Sequence, residues 1–237
     1  KSDSENIETA KTDAEIGSEA LKSWTKTIGG QYIERPELVQ LIQRIRDTPF
    51  GTTLVIGEAG SGKSALFAEL VSRLQAQGMA VFAIKADLLP TNVQTLMDVS
   101  TALGLQGHLL KQIEALAWDG PVVVLIDQLD AVSEVMDRSS ERMRLMLQLA
   151  NHFREKKRVE NREPPVHVLV SSRQFEAEYD ARFQSLQAET VRLALPTYEQ
   201  VEVLLQNLNI SPDEAPGALR ETLRRPFALR LFVDVLR

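Results

Sequence analysis

The chain has 237 residues, 43% hydrophobic and 25% charged, enough for one sizeable α/β core with a small subdomain. A net charge of −6 gives no overall pull towards nucleic acid or anionic membrane, and the absence of cysteine excludes disulfides and thiolate metal sites. The three histidines (His108, His152, His167) have no metal-binding spacing, and no apolar run is long enough to cross a bilayer. A cysteine-free chain with no apolar secretion core fits a reducing, cytoplasmic location. The chain starts at Lys1 rather than Met, as expected of a piece cut from a longer protein.

Residues 1–28 read as a polar linker or tail, turning helical near Ala20–Trp24. Gly29-Gly30 breaks the chain, and Arg35 to Arg46 then carries Leu38, Val39, Leu41, Ile42 and Ile45 at helical spacing. Thr52 to Ile56 is a short strand running into a glycine-rich turn. Ala65 to Gln77 follows as an amphipathic helix closed by Gly78. Met79 to Ile84 reads as a strand, 92–103 and 108–118 as helices, and Val122 to Ile126 as a buried strand opened by Pro121. A long amphipathic helix covers 139–157, and Val166 to Val170 and Val191 to Leu195 are further strands. From 197 onward the pattern is helical, broken by Pro212, Pro216 and Pro226. Strands alternating with helices imply an α/β fold with a mainly parallel sheet covered on both faces. The expected division is a core over 29–195 and a helical lid subdomain over 196–237.

Three segments carry chemistry. Gly57-Glu58-Ala59-Gly60-Ser61-Gly62-Lys63-Ser64 matches G-x-x-x-x-G-K-[ST] at every fixed position, between a strand and a helix. Such a turn points backbone N–H groups and a helix N-terminus at an anion. Its lysine adds a point charge between the outer phosphates, and its serine hydroxyl is a magnesium ligand. The nucleotide-contacting stretch runs from Gly57 through Ala65. The second segment is Val122 to Asp130, a buried strand ending in acids at the sheet's carboxyl edge, where α/β ligands bind. Asp127 suits magnesium. Asp130 suits either a base for an attacking water or a helix N-cap. In the third segment, Val168 to Arg173, a strand ends in Ser171, Ser172 and Arg173, which puts an arginine within reach of a γ-phosphate.

The order of these motifs resembles the STAND class of P-loop NTPases, the NACHT and NB-ARC-like relatives of AAA+ proteins. Tyr32-Ile33-Glu34-Arg35-Pro36-Glu37-Leu38 resembles the family's entry motif, Gly57 to Ser64 its Walker A loop and Leu125 to Asp130 its Walker B. Leu169 to Arg173 resembles its γ-phosphate sensor strand, and Val191 to Leu195 with Thr197-Tyr198-Glu199-Gln200 resembles the entrance to its lid. The resemblance spans about residues 30–237. It implies a three-layer P-loop NTPase sandwich with a C-terminal helical lid, binding ATP or ADP with Mg2+. Ile33 and Arg35 would line the adenine pocket, and Pro226 would touch the nucleotide. Lys63, Asp130 and Arg173 would be the catalytic set, with Ser64 and Asp127 on the metal. The implied behaviour is a slow ATPase switch that assembles into nucleotide-dependent homo-oligomers, coupled to sensor and effector domains outside this chain.

Gln128 departs from the glutamate base that many fast AAA+ ATPases carry at this position, and an amide cannot accept the proton. The alternatives are an AAA+ motor or loader using an arginine finger (Arg138, Arg142 or Arg144), a small-molecule kinase, and a nucleotide-bound scaffold that never turns over. No acceptor signature favours the kinase. The acidic balance and the lack of an aromatic-basic stripe argue against a nucleic-acid partner. Trp24 and Trp118 are expected to be packing residues.

Overall fold

The computed structural model describes residues 2–132, 139–160, 165–211 and 217–236. Expectations at Arg138, Pro212 and Pro216 lie outside the described residues.

A five-stranded sheet forms the centre: β1 (Gly51–Gly57), β2 (Ala80–Lys85), β3 (Val122–Asp127), β4 (Val166–Arg173) and β5 (Glu189–Arg192). The order is β2-β3-β4-β1-β5, and every pairing is parallel. Parallel neighbours need crossovers, and the expected helices supply them: α3 (Lys63–Ala76), α4 (Leu96–Ala102), α5 (Leu109–Asp119) and α6 (Ser139–Glu160). The α/β class and the mainly parallel sheet are as the alternation of apolar strands and helical periods requires.

The side-chain period of two divides the strand residues between two cores. Leu54, Ile56, Phe82, Ile84, Val124, Ile126, Val168 and Val170 pack on one face with α4, α5 and α6. Val55, Val81, Ala83, Val123, Leu125 and Leu169 pack on the other with α3 and α2 (Pro36–Asp47). His167 fastens the base of the sheet to the end of α2. Its Nδ1 donates to the Thr48 carbonyl at 2.8 Å, while Nε2 meets Thr53 Oγ1 at 2.9 Å. The carbonyl can only accept, so Nδ1 carries a proton, and burial pushes the ring's pKa below the ordinary histidine value.

The first 22 residues correct the linker reading. Ser2–Lys22 is a helix, α1, lying against the edge strand β2. Its inward stripe is Ala10, Asp13, Ala14, Ser18 and Leu21, all buried, at helical spacing. Apart from Leu21 these side chains are small or polar, so hydrophobicity does not reveal the stripe. Gly17 lies on the same face, where an added Cβ would come 3.2 Å from Leu105 Cδ2. Ser18 Oγ donates to the Val81 carbonyl at 2.8 Å and accepts from Ala83 N at 2.9 Å, so one hydroxyl satisfies both groups of the otherwise open strand edge. Asp13 accepts from Gln106 N at 2.9 Å and Gly107 N at 3.1 Å.

Beyond β4 come two short helices absent from the expectation, α7 (Gln174–Tyr179) and α8 (Ala181–Gln184). The last segment holds α9 (Tyr198–Asn207), α10 (Arg220–Leu223) and α11 (Pro226–Leu236). Thr197 and Gln200 form a capping box at the start of α9. These helices build a third core from Val201, Leu204, Leu205, Leu223, Leu229 and Val233, which Ile28 joins and Ile33 packs against. The stretch before α2 therefore packs with the lid as well as with the sheet domain.

Candidate functional site

The carboxyl ends of β1, β3 and β4 open on a cleft of about 310 Å³. Its wall brings together Ala59 to Ala65, Gln128, Asp130 and Arg173 from the sheet side. Ile33 and Arg35 come from the approach to α2, and Pro226 from the lid. Gly57, Glu58 and Asp127 lie behind this wall rather than on it.

The glycine-rich turn is built as an anion cradle. Gly62, the residue before α3, has φ +96°, a left-handed conformation that side chains resist. An added Cβ at Gly57 would fall 2.9 Å from Ser61 Oγ and 3.0 Å from the Leu193 carbonyl. Lys63 Nζ donates to the carbonyls of Gly57 at 2.9 Å and Glu58 at 3.0 Å, which parks the ammonium on the loop. Ser61 Oγ is buried without a hydrogen-bond partner among the described residues. An orphaned hydroxyl, a curled backbone and a helix N-terminus in one place fit a phosphate chain.

Behind the cradle, the ends of β3 and β4 are tied together. Ser171 Oγ donates to Asp127 Oδ1 at 2.6 Å and accepts from Gln128 N at 2.8 Å. Gln128 has φ +57°, strained for a residue with a side chain, and its Nε2 reaches Ser64 Oγ at 3.3 Å. The amide thus sits beside the hydroxyl expected on the metal. Asp130 is buried in a 3-10 turn, Leu129–Val132. It accepts from Arg173 N at 3.1 Å, and its Oδ2 lies 3.1 Å from Arg173 Nε. Burial raises the Asp130 pKa above the ordinary aspartate value, against the pull of Lys63 and Arg173. A carboxylate so placed can hold Arg173 and receive a proton.

Arg35 serves the frame more than the wall. Its guanidinium donates to the Ala194 carbonyl, while Glu37 Oε1 accepts from Ala194 N at 3.0 Å. Together they clamp the entry to α2 against the strand-to-lid crossing. Burial lowers the Arg35 pKa and Glu37 opposes the shift.

Several cleft residues escaped sequence reasoning. Trp24 is 43% exposed on the cleft wall, and Trp118 is 72% exposed elsewhere, so neither is a core packing residue. Lys26, Tyr32, Phe227 and Arg230 also line the cleft. Phe227 and Arg230 lie one helical turn apart on α11, a pairing that i, i+3 spacing after Pro226 could have indicated. Lys26 is fastened to α3 through Glu69 at 2.7 Å and Ser72 at 2.8 Å. Of the finger candidates, Arg142 is buried with its guanidinium on the Leu89 carbonyl at 2.9 Å, which removes it from any neighbour's reach. Arg144 is bonded to Glu141 of its own helix.

The fold and this cleft define a P-loop nucleotide-binding domain. The chain belongs to the AAA ATPase domain family, whose sequence model matches residues 33–230. That match establishes an AAA+ ATPase domain and does not single out the STAND branch. No curated protein matches in sequence. Among solved structures, AMPPCP-bound DnaA from Aquifex aeolicus is similar at TM-score 0.52 and 12% identity, over 83% of this chain and 58% of that one. A DNA replication initiation factor is similar at TM-score 0.53 and 13% identity, over 91% of this chain and 63% of that one. The chain thus spans less than two thirds of either, and the likeness is one of fold. Among the described residues, no helix is long and apolar enough to cross a membrane.

Proposed function

We propose that the chain is the nucleotide-binding core of a larger STAND-type regulator, an ATP/ADP switch with slow hydrolysis. The observation that carries this reading is the composition of one cleft. The phosphate-binding turn, the Asp130–Arg173 pair and the lid residues Pro226, Phe227 and Arg230 all line it. A ligand held there touches both the sheet domain and the lid, so loss of a phosphate changes contacts to both. Only such differential contacts can drive a conformational change.

Lys63 would move from the loop carbonyls to the outer phosphates. Ser64, with Asp127 acting through water, would hold magnesium, which supplies positive charge against the phosphates. Asp130 would orient and deprotonate the attacking water while holding Arg173 near the γ-phosphate. Gln128 in place of a carboxylate leaves Asp130 as the one acid on the cleft wall among the described residues, consistent with slow turnover. Sensor and effector domains, and assembly with further copies, belong to the longer protein that this reading implies.

The test is direct. The purified chain is mixed with ATP or ADP plus magnesium, while binding, phosphate release and mass by light scattering are followed. The switch reading expects tight ADP binding, phosphate release well below one per second, and a larger species with ATP than with ADP. Binding with no release at any concentration would support the scaffold reading, which the Gln128–Ser64 contact favours.

A further inference from the structure

Strand β2 ends in a lysine whose side chain is fully buried. Lys85 Nζ lies 3.1 Å from Asp127 Oδ2, 3.3 Å from Asp87 Oδ1 and 4.2 Å from the centroid of the Trp24 ring. The second oxygen of Asp127 is taken by the Ser171 hydroxyl at 2.6 Å. The acid at the end of β3 is therefore matched by a fixed cation of the chain itself. A buried ammonium is costly unless paired, and an apolar side chain would fill the space at less cost. The switch reading gives Lys85 no task.

We propose that Lys85 is a positioning residue that sets the divalent-cation demand of the nucleotide cleft by holding Asp127. Shared between Asp127 and Asp87, the ammonium offsets part of the Asp127 carboxylate's attraction for a dication. Asp127 thus acts on a metal through water and does not collect one in advance. The metal enters with the nucleotide's phosphates. Trp24 covers the ammonium with its ring face and also lines the cleft, so the indole keeps Lys85 dry and joins it to the ligand's surroundings. This inference rests on the nucleotide reading of the cleft.

The test uses the whole chain and Mn2+, read by electron paramagnetic resonance, with and without ADP. ADP binding is also measured in excess EDTA. The wild type is expected to hold little Mn2+ until ADP is added. Lys85→Met should lower the Mn2+ needed for half-saturation with ADP by roughly tenfold, since a repelling charge is gone. Its metal-free ADP affinity should stay within about twofold of wild type, as Lys85 does not line the cleft. Lys85→Arg should keep the wild-type demand. A lysine with a merely structural role predicts the opposite pattern: Lys85→Met weakens ADP binding equally with and without metal, and Mn2+ demand does not fall. That result overturns the proposal. If Lys85→Met does not fold, Lys85→Gln takes its place in the same titrations, with the same two outcomes. Mn2+ binding to the nucleotide-free wild type as tight as with ADP also overturns it. A wild type that binds no ADP removes the nucleotide reading, whereas ADP binding with unchanged metal demand in Lys85→Met removes this proposal alone.

Discussion

The floor of the cleft and its lid are held by different physics. The floor is backed by Asp127, Ser171 and Lys85 behind the wall and by Asp130 on it; all are buried, and each bonds a neighbour on another segment. The lid meets the phosphate-binding turn through lighter contacts. Arg225 reaches Glu58 at 2.8 Å, with both side chains about half exposed, and Pro226 Cγ would lie 3.4 Å from a Cβ added at Gly62. Buried polar networks are rigid because any broken member is left unsatisfied, whereas exposed ion pairs exchange readily with water. The buried network is therefore costlier to rearrange than the exposed contacts between the C-terminal helices and the phosphate-binding turn.

The largest effect expected from breaking this arrangement is at the lysine of the phosphate-binding turn. Lys63→Ala should weaken ATP binding on the order of 100-fold or more, since charge-assisted hydrogen bonds to phosphate are lost, with the fold kept by circular dichroism. Next, Asp130→Asn should still bind ATP in titration calorimetry but release phosphate about 100-fold or more slowly. Turnover by the wild type should fall as pH drops through a midpoint above the ordinary aspartate value, because burial raises the Asp130 pKa and the base must be ionised. Asp130→Asn should lack that limb in its pH profile.

His167 gives a smaller effect that sharpens the contrast from the stability side. Its folded pKa is depressed, so its contribution is full above the ordinary histidine value of 6.5 and is lost as pH falls through the folded value. The denaturation midpoint of the wild type should therefore drop across that acid range, and His167→Gln should show a shallower drop. The smallest effect is expected at the lid. Arg225→Ala removes an exposed pair worth about 1 kcal/mol or less, so ADP release should speed up by no more than about fivefold, with an unchanged melting temperature. A larger change would mean that the latch, and not the floor, holds the nucleotide.

What the sequence by itself determined is what local periodicity and fixed spacing encode. Strands β1 to β4 follow from apolar runs of strand length, and the phosphate-binding turn from glycine positions before Lys63 and Ser64; β5 (Glu189–Arg192) has one apolar residue and meets the expected Val191–Leu195 at only two positions. Asp130 and Arg173 were legible because each follows a buried strand at the carboxyl edge of the sheet. Tertiary structure alone decided the rest. The α1 stripe of Ala10, Asp13, Ala14 and Ser18 is helical in spacing but carries too little hydrophobicity to be read without the strand edge it covers. Trp24 and Lys85 are 61 residues apart in sequence, and no local pattern links either to Asp127. Asp130 and Arg173 could be named singly, but their pairing depends on β3 and β4 lying side by side, because strand order is fixed by the packing of crossover helices on a sheet and not by the sequence of any one strand.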